Sequence, residues 1–258
     1  GGAGGPSGAD AKAAAAAGAA ALGAAAAKLG AGPVKLEHSG PGFPYVDLAK
    51  GGLRIMLANK MPALAMFAPF VIVGFLSLLF SFGAQWLPSA ITSMIGLLFS
   101  ILGLVVGLYS LVFPQVMCNY LAGVKEYQAT GNSFGIGQLM KFDNIVQRYL
   151  TLIIVGITGI CCGIPPMILC MAIPLIVDKP QTTFMDAVKS GLAFGKKNLV
   201  PLIIMWVVLG IFNAIGGLLC YVGMLVTAPS VMAAFWLAYE LKREEIQAAA
   251  AEAGINLA

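Results

Sequence analysis

The chain has 258 residues, of which 59% are hydrophobic and only 10% are charged, with a formal net charge of +4. A soluble domain carries about 25% charged residues, so this composition excludes an ordinary water-soluble protein. Three ranges, 61–124, 149–177 and 199–239, contain no Asp, Glu, Lys or Arg and together form more than half of the chain. They show no alternation of apolar and polar residues, which favours helices over barrel strands. We therefore predict an all-α fold, a polytopic transmembrane helical bundle.

The first 44 residues have a different composition. Alanine dominates Ala13–Ala27, where Gly18 and Gly23 interrupt the run. Two glycines at about 1 kcal/mol each leave such a helix marginal. The stretch has neither the basic start nor the Leu-rich centre of a signal peptide. We predict a flexible tether over 1–44, whose last part, Pro33–Pro44, is an extended linker.

The bundle is predicted over 45–242. The range 61–124 is long enough for two spans, and 199–239 for two short ones. The middle range, 149–177, would give a straight helix of about 43 Å at ~1.5 Å per residue, longer than a hydrocarbon core of ~30 Å. The sequence Cys162-Gly-Ile-Pro-Pro166 would also break that helix. We predict six membrane segments, the middle pair being short or re-entrant, and keep five full spans as the alternative.

The positions of the basic residues predict the orientation. Every uncharged range has basic residues at both ends, whereas the proposed outer turns, 83–89, 161–166 and 216–222, have none. Positive residues favour the cytoplasmic side. We therefore expect a multi-pass protein of the bacterial inner membrane with both termini in the cytoplasm, where 243–258 forms the C-terminal tail.

A weak internal repeat aligns residues 47–62 with 186–201 without a gap, with six identities over sixteen positions. Placed on helices, both copies separate an apolar side from a basic side, and 136–148 does so more loosely. The first copy has Val46, Leu48, Leu53 and Met56 on its apolar side, and the second has Phe184, Met185, Ala187, Val188 and Leu192. We predict three units, each a basic amphipathic helix in the headgroup region that leads into a helical hairpin.

The basic residues of these three helices are candidates for contact with the interface or with lipid headgroups. They are Lys50, Arg54, Lys60, Lys141, Arg148, Lys189, Lys196 and Lys197. Orientation and snorkelling explain such residues without a specific ligand. Recognition of anionic lipid, at ~1 kcal/mol per basic residue, is the other interpretation.

The second copy and the residues that follow it resemble a known group of proteins. The features are Asp186-Ala187 before Lys189-Ser190, Asn198 at membrane entry, Gly223, Thr227-x-Pro229 and Ala238-Tyr239. Over about 150–242 the chain is similar to a loose group of bacterial polytopic membrane proteins. That group includes the membrane domain attached to some glycerophosphoryl diester phosphodiesterases. This chain carries no counterpart of the catalytic domain, so the resemblance implies a fold and no activity.

The residues that carry metal, redox or nucleophilic chemistry are few. Cys161 and Cys162 are adjacent, but no CxxC occurs and no histidine or carboxylate lies near them in the sequence. We interpret the cysteines as small buried thiols, with a redox or metal role of this pair as the alternative. The single histidine, His38, lies in the predicted linker, which disfavours a Ser–His or metal–His site. We predict no cofactor and no enzymatic activity.

Asn213 is strongly polar inside a predicted span. An interhelical hydrogen bond, worth ~0.6 kcal/mol on average, is its expected role, and a place on a transport path is the alternative. The uncharged ranges offer no ionisable group for ion coupling. We predict a non-catalytic membrane scaffold or accessory subunit, with membrane lipids, other membrane subunits or a second copy as partners and no nucleic acid. The alternative function is a transporter or channel for an uncharged or lipid-like solute.

Overall fold

A computed structural model describes residues 32–38, 40, 42–83, 89–162, 164–218 and 223–257. The α-helices are α1 (Tyr45–Ala58), α2 (Lys60–Gly83), α3 (Ser89–Thr130), α4 (Ile145–Cys162), α5 (Ile164–Leu169), α6 (Ala172–Asp178), α7 (Phe184–Lys197), α8 (Leu199–Leu218), α9 (Met224–Leu241) and α10 (Arg243–Glu252), and a 3-10 helix covers Ile136–Met140. Residues 1–31 of the predicted tether and much of the predicted outer turns lie outside the described residues.

Several helices are long and apolar enough to cross a membrane. In the described part of the chain these stretches are Lys60–Ser77, Ser93–Thr130, Leu199–Leu218 and Met224–Leu241. Shorter apolar helical stretches cover Ile145–Val155 within α4 and Met167–Asp178 in α5 and α6. The prediction of an all-α, multi-pass membrane protein is confirmed at this level.

The middle uncharged range, 149–177, returns to the end of the bundle at which it starts. Arg148, at its beginning, donates a hydrogen bond to Asn119 of α3, and Asp178, at its end, pairs with Lys125 of the same helix. Positions 119 and 125 lie about 9 Å apart along α3 at ~1.5 Å per residue. A single crossing would separate the two ends by about 30 Å. We call this end of the bundle, where these four polar residues meet, the charged end.

The core of the protein sits at the charged end. Its largest fully buried side chains are Trp236, Tyr120, Tyr239, Phe194, Leu48, Ile55, Met56, Met66, Leu121, Met171, Leu175 and Ile176. In the most apolar 18-residue stretch of α3, by contrast, no residue is buried. There α2 contacts one side of α3 through the ring pairs Phe70–Tyr109 and Phe80–Phe99. Large apolar side chains of this stretch are exposed, among them Leu97, Leu104 and Leu108.

The two copies of the repeat, α1 and α7, bury corresponding positions. These are Leu48, Gly51, Gly52, Ile55 and Met56 in α1, and Ala187, Ser190, Gly191, Phe194 and Gly195 in α7. Each helix is followed by an asparagine whose side-chain amide donates to the carbonyl four residues earlier. Asn59 donates to Ile55 at 2.9 Å and Asn198 to Phe194 at 3.2 Å. The aligned sequences therefore adopt the same local structure.

The predicted faces of these helices are partly wrong. Val46 and Met185, assigned to the apolar sides, are 60% and 44% exposed, whereas Ser190, which was not assigned to an apolar side, is fully buried. The reason is that small residues let helix backbones approach closely. A Cβ atom at Gly52 would lie 2.1 Å from the carbonyl oxygen of Ser230 on α9. The inward face is therefore the side with small residues. Counting the large apolar residues on each face of the helix does not identify it.

The predicted amphipathic helix over 136–148 does not form. A 3-10 helix covers Ile136–Met140, and irregular chain then leads to α4. The Asn119 side chain donates to the carbonyls of Leu139 and Lys141, at 2.9 and 2.5 Å. Because these acceptors are bound to α3, they are not available to a helix of the segment's own.

The described parts of the two terminal segments pack on the bundle. Residues 33–38 have no regular secondary structure, and this part of the predicted linker binds the bundle. Val34 exchanges two backbone hydrogen bonds with the Gln128 side-chain amide, both at 2.8 Å. At the other end, α9 stops at Leu241 instead of continuing, and α10 folds against α7 and buries Ile246.

Candidate functional site

Two polar clusters at the charged end connect α3 to the helices around it. The Asp178 cluster consists of Lys125, Asp178, Tyr239 and Arg243. The Arg148 cluster consists of Gln115, Asn119 and Arg148. They hold charged side chains against an otherwise apolar core and are therefore the strongest candidates for a site.

The Asp178 carboxylate is bound by three other helices. Lys125 Nζ of α3 lies 2.9 Å from Oδ1, and the Tyr239 hydroxyl of α9 donates to Oδ2 at 2.8 Å. Arg243 Nε of α10 lies 3.3 Å from Oδ2. The carboxylate is the last residue of α6 and the guanidinium the first of α10, so two helix ends meet here. One acidic group thereby ties α3, α6, α9 and α10 together.

The charge of Asp178 is stabilised where it lies. Partial burial acts to raise the pKa of its carboxyl, but hydrogen bonds from Lys125 and Tyr239 and the charge of Arg243 outweigh this and lower that pKa. A general acid at neutral pH needs a raised carboxyl pKa instead. The geometry is therefore that of a structural ion-pair network.

The Arg148 cluster holds the segment before α4 against α3. Arg148 Nη1 donates to Asn119 Oδ1 at 2.7 Å. Gln115 Nε2 donates to the carbonyls of Lys141 and Asp143, at 3.1 and 3.2 Å. Gln115, Asn119 and Arg148 are all buried. The cluster replaces the backbone pairing that a helix over this segment would have provided.

Sequence reasoning missed Gln115 and Asn119. Both lie inside the range 61–124, and because they are polar but uncharged, the pattern of formal charges does not reveal them. The available signal was their spacing, because amides at positions i and i+4 share one face of a helix. A polar pair on one face of an apolar helix predicts a polar partner there.

The predicted basic residues do not converge on one site. Lys50, Lys60, Lys141, Lys189, Lys196 and Lys197 are exposed, Arg54 is half-buried, and Arg148 is buried. Lys50 and Arg54 line a groove of about 310 Å³ beside residues 34–37. Lys189 and Lys196 line another, of about 220 Å³, next to Ile255. Their contact with lipid headgroups stays a prediction.

Asn213 takes part in an interhelical hydrogen bond. The Thr227 hydroxyl of α9 donates to Asn213 Oδ1 of α8 at 3.1 Å. The two helices are in close contact there, because a Cβ atom at Gly216 would lie 2.1 Å from Thr227 Oγ1. The pair forms part of the packing between α8 and α9, and a transport role for Asn213 remains untested.

An apolar cavity of about 100 Å³ lies between α3, α4, α6, α8 and α9. It is lined by Met117, Leu121, Val155, Cys170, Ile173, Pro174, Trp206, Met232 and Phe235. Cys170 and Cys118 are buried free thiols, as interpreted from the sequence, whereas the side chains of Cys161 and Cys162 lie outside the described residues. Among the residues that the structure describes, no group of three or more His, Cys, Asp or Glu could hold a metal.

Replacing Asn119 by Ala is expected to release the segment before α4. The change removes the donor to the Leu139 and Lys141 carbonyls and the acceptor for Arg148, and buried groups left unpaired cost about 1–3 kcal/mol each. Hydrogen–deuterium exchange should increase by tenfold or more over 136–148, while α9 stays protected. Unchanged exchange in the segment would contradict the role given to Asn119.

Comparison with protein-family models, with curated proteins and with solved structures gives no match. The similarity to the membrane domain described above therefore stays a prediction. What the chain does has to be argued from its own geometry.

Proposed function

We propose that the protein is an integral membrane scaffold or accessory subunit without a catalytic role, which contacts partners or lipid headgroups at its cytoplasmic face. The observation that carries this proposal is an asymmetry. The charged end is joined by ion pairs and buried amides, whereas the apolar hairpin of α2 and α3 lacks cover on most of its surface. A protein with a firmly joined charged end and exposed apolar surfaces on α2 and α3 is suited to bind and position other membrane proteins.

The arrangement of the helices supports a specific topology. The middle range begins and ends at the charged end, and its second half consists of two short helices, α5 with 6 residues and α6 with 7. We propose six membrane segments, the middle pair being re-entrant, with the charged end and both termini in the cytoplasm of a bacterial inner membrane. The positive residues then all lie on the side that they favour.

The uncovered part of α3 is the proposed site for a neighbouring protein. Leu104 and Leu111 are both 65% exposed, and Leu108 is 57% exposed. Lipid alone can cover such residues, but association of helices in membranes depends on close packing at small residues. A Cβ atom at Gly103 or Gly107 would meet nothing within 4 Å, so this side of α3 leaves room for another backbone.

Photo-crosslinking tests the proposal. A benzophenone amino acid in place of Leu104 should give, in intact membranes, one covalent adduct of defined mass with a protein or with a second copy. The same group in place of Val106, which is partly covered, is the matched control and should react mainly within the chain. Lipid adducts alone at position 104, with no protein adduct, would contradict the scaffold.

The alternative is a transporter or channel for an uncharged or lipid-like solute, and the apolar cavity between the helices favours it. Ligand sites usually enclose about 300–1,000 Å³, so a cavity of about 100 Å³ would have to open to pass a solute. Transport should then fall when Trp206 or Phe235 is replaced by Ala. Solute flux through reconstituted vesicles measures this, and flux equal to that of empty vesicles contradicts it.

A further inference from the structure

The Arg148 guanidinium is buried without a counter-charge among the described residues. Its side chain belongs to a residue that is only 6% exposed. Nη1 donates to Asn119 Oδ1, but Nε is buried without a partner, as is Gln115 Oε1. In the described chain neither the Asp143 carboxylate nor any other lies within ion-pair distance of this guanidinium. A buried cation that only an amide compensates is unfavourable.

The free edge of this guanidinium has the geometry that a phosphate requires. Arginine binds planar or tetrahedral oxyanions with paired N–H donors. Neither Nε nor Nη2 of Arg148 has a hydrogen-bond partner among the described residues, and Nη2, which is not fully covered as Nε is, is the donor that an outside oxyanion reaches first. Lys141 belongs to the same cluster, because its backbone carbonyl and Arg148 bind the same Asn119 side chain, and its own side chain is exposed. Both charges favour a ligand with a net negative charge.

The surroundings indicate that the ligand is a lipid. Large apolar side chains next to this arginine face outward: Met140 is 60% exposed, Phe142 63% and Val146 63%. In a protein that crosses a membrane, exposed apolar side chains at the start of an apolar helix insert between acyl chains. A small anion dissolved in water would make no favourable contact with these apolar side chains.

We propose that Arg148 and Lys141 bind the phosphate of an anionic phospholipid of the cytoplasmic leaflet. The side chains of Met140, Phe142 and Val146 contact its acyl chains. This inference deepens, and rests on, the proposed contact with lipid headgroups. It assigns that contact to one site, whereas sequence reasoning spread it over eight basic residues.

The Asp178 cluster shows why the site is at Arg148. Lys125 and Arg243 also lie at the charged end, but both share the Asp178 carboxylate. Their charge is already compensated within the protein, so an external anion would gain less there. Arg148 is buried more deeply than either and has no such carboxylate.

Thermal unfolding of the full chain in a neutral detergent tests the proposal. Three additives are compared: phosphatidylglycerol, phosphatidylcholine and inorganic phosphate. Ligand that binds only the folded state raises the unfolding midpoint. Phosphatidylglycerol should raise it by about 5 °C, and the other two by less than half as much. An equal shift with inorganic phosphate, or no shift with phosphatidylglycerol, overturns the proposal.

Variants assign the shift to the site. Lys141→Gln should at least halve the shift and Arg148→Gln should abolish it, whereas Lys35→Gln, at an exposed lysine of the segment before α1, should keep it. If Arg148→Gln does not fold, the double variant Phe142→Ser and Val146→Ser replaces it, because both side chains are exposed. The full shift in Lys141→Gln or in this double variant overturns the proposal.

The crosslinking at Leu104 separates the two proposals. If phosphatidylglycerol does not raise the unfolding midpoint of the wild-type protein, but the protein adduct at position 104 forms, only the lipid site is overturned. A retained lipid shift without a protein adduct overturns the scaffold alone.

Discussion

Replacing Asp178 by Ala is expected to lower the free energy of unfolding by about 2–3 kcal/mol. Lys125 and Arg243 both pair with the Asp178 carboxylate, and the Tyr239 hydroxyl donates to it. The change removes this carboxylate, so both cations lose their partner and the hydroxyl loses its acceptor. Breaking a fully buried pair costs about 3–5 kcal/mol. The expected effect is smaller here, because the Lys125 and Arg243 side chains are 41% and 37% exposed and regain water.

An exposed ion pair of the same chain is the matched control. Lys197 pairs with Glu252, and their side chains are 54% and 65% exposed. Glu252→Gln should therefore change the free energy of unfolding by less than about 0.5 kcal/mol. Reversible unfolding in mixed micelles compares the two variants. Equal losses would show that the Asp178 cluster has no special structural role.

Acidity gives an independent test of the same cluster. The pKa of the Asp178 carboxyl is lower in the folded protein than its ordinary value of 3.8. Its stabilising contribution is therefore fully present above that ordinary value and is lost as the pH falls through the lower pKa of the folded state. Between pH 5 and pH 2 the wild-type protein should lose more stability than Asp178→Asn. Parallel pH profiles of the two proteins would contradict this.

Replacing Gly52 by Ala is expected to destabilise the protein by about 3 kcal/mol or more. The added Cβ would lie 2.1 Å from the carbonyl oxygen of Ser230 and 3.0 Å from the backbone nitrogen of Ala234. Both atoms belong to the backbone of α9, so no side-chain rotation relieves the overlap. Helices α1 and α9 would have to separate, which affects the most extensive helix contact of the bundle.

Ala substitutions at two other glycines should destabilise the protein less than the change at Gly52. At Gly191, the equivalent position of α7, the nearest atoms are those of Ala172 at 3.2 Å, so Ala should cost less there than at Gly52. At Gly103 of α3 nothing lies within 4 Å, and Ala should be neutral or gain up to about 1 kcal/mol of helix propensity. Unfolding midpoints of the three variants give the order, and a loss at Gly103 as large as at Gly52 would contradict the packing described.

Most of what the sequence predicts about the fold follows from the separation of its charged residues from three uncharged ranges. This separation predicted an all-helical, multi-pass membrane protein, because an ion in hydrocarbon is costly wherever it occurs in the sequence. It did not predict the helix ends, since α3 continues beyond the uncharged range to Thr130. The same rule led us to propose that the range 149–177 returns to the charged end, and the pairs of Asn119 with Arg148 and of Lys125 with Asp178 support that proposal.

Tertiary contacts decided the features that the sequence did not predict. The inward face of α1 is set by the fit of Gly52 against α9, and a face that packs through missing side chains has no hydrophobic signature. The segment 136–148 has amphipathic spacing, but Gln115 and Asn119, some twenty residues earlier, bind its carbonyls. Local periodicity does not report such partners.

Cysteine labelling across the membrane tests the topology most directly. With the native cysteines replaced, Lys141→Cys and Gln181→Cys flank the middle range, and Leu218→Cys marks the far end of α8, where its side chain is 83% exposed. A membrane-impermeant maleimide should label positions 141 and 181 only from the cytoplasmic side and position 218 only from the opposite side. Labelling of positions 141 and 181 from opposite sides would contradict the account.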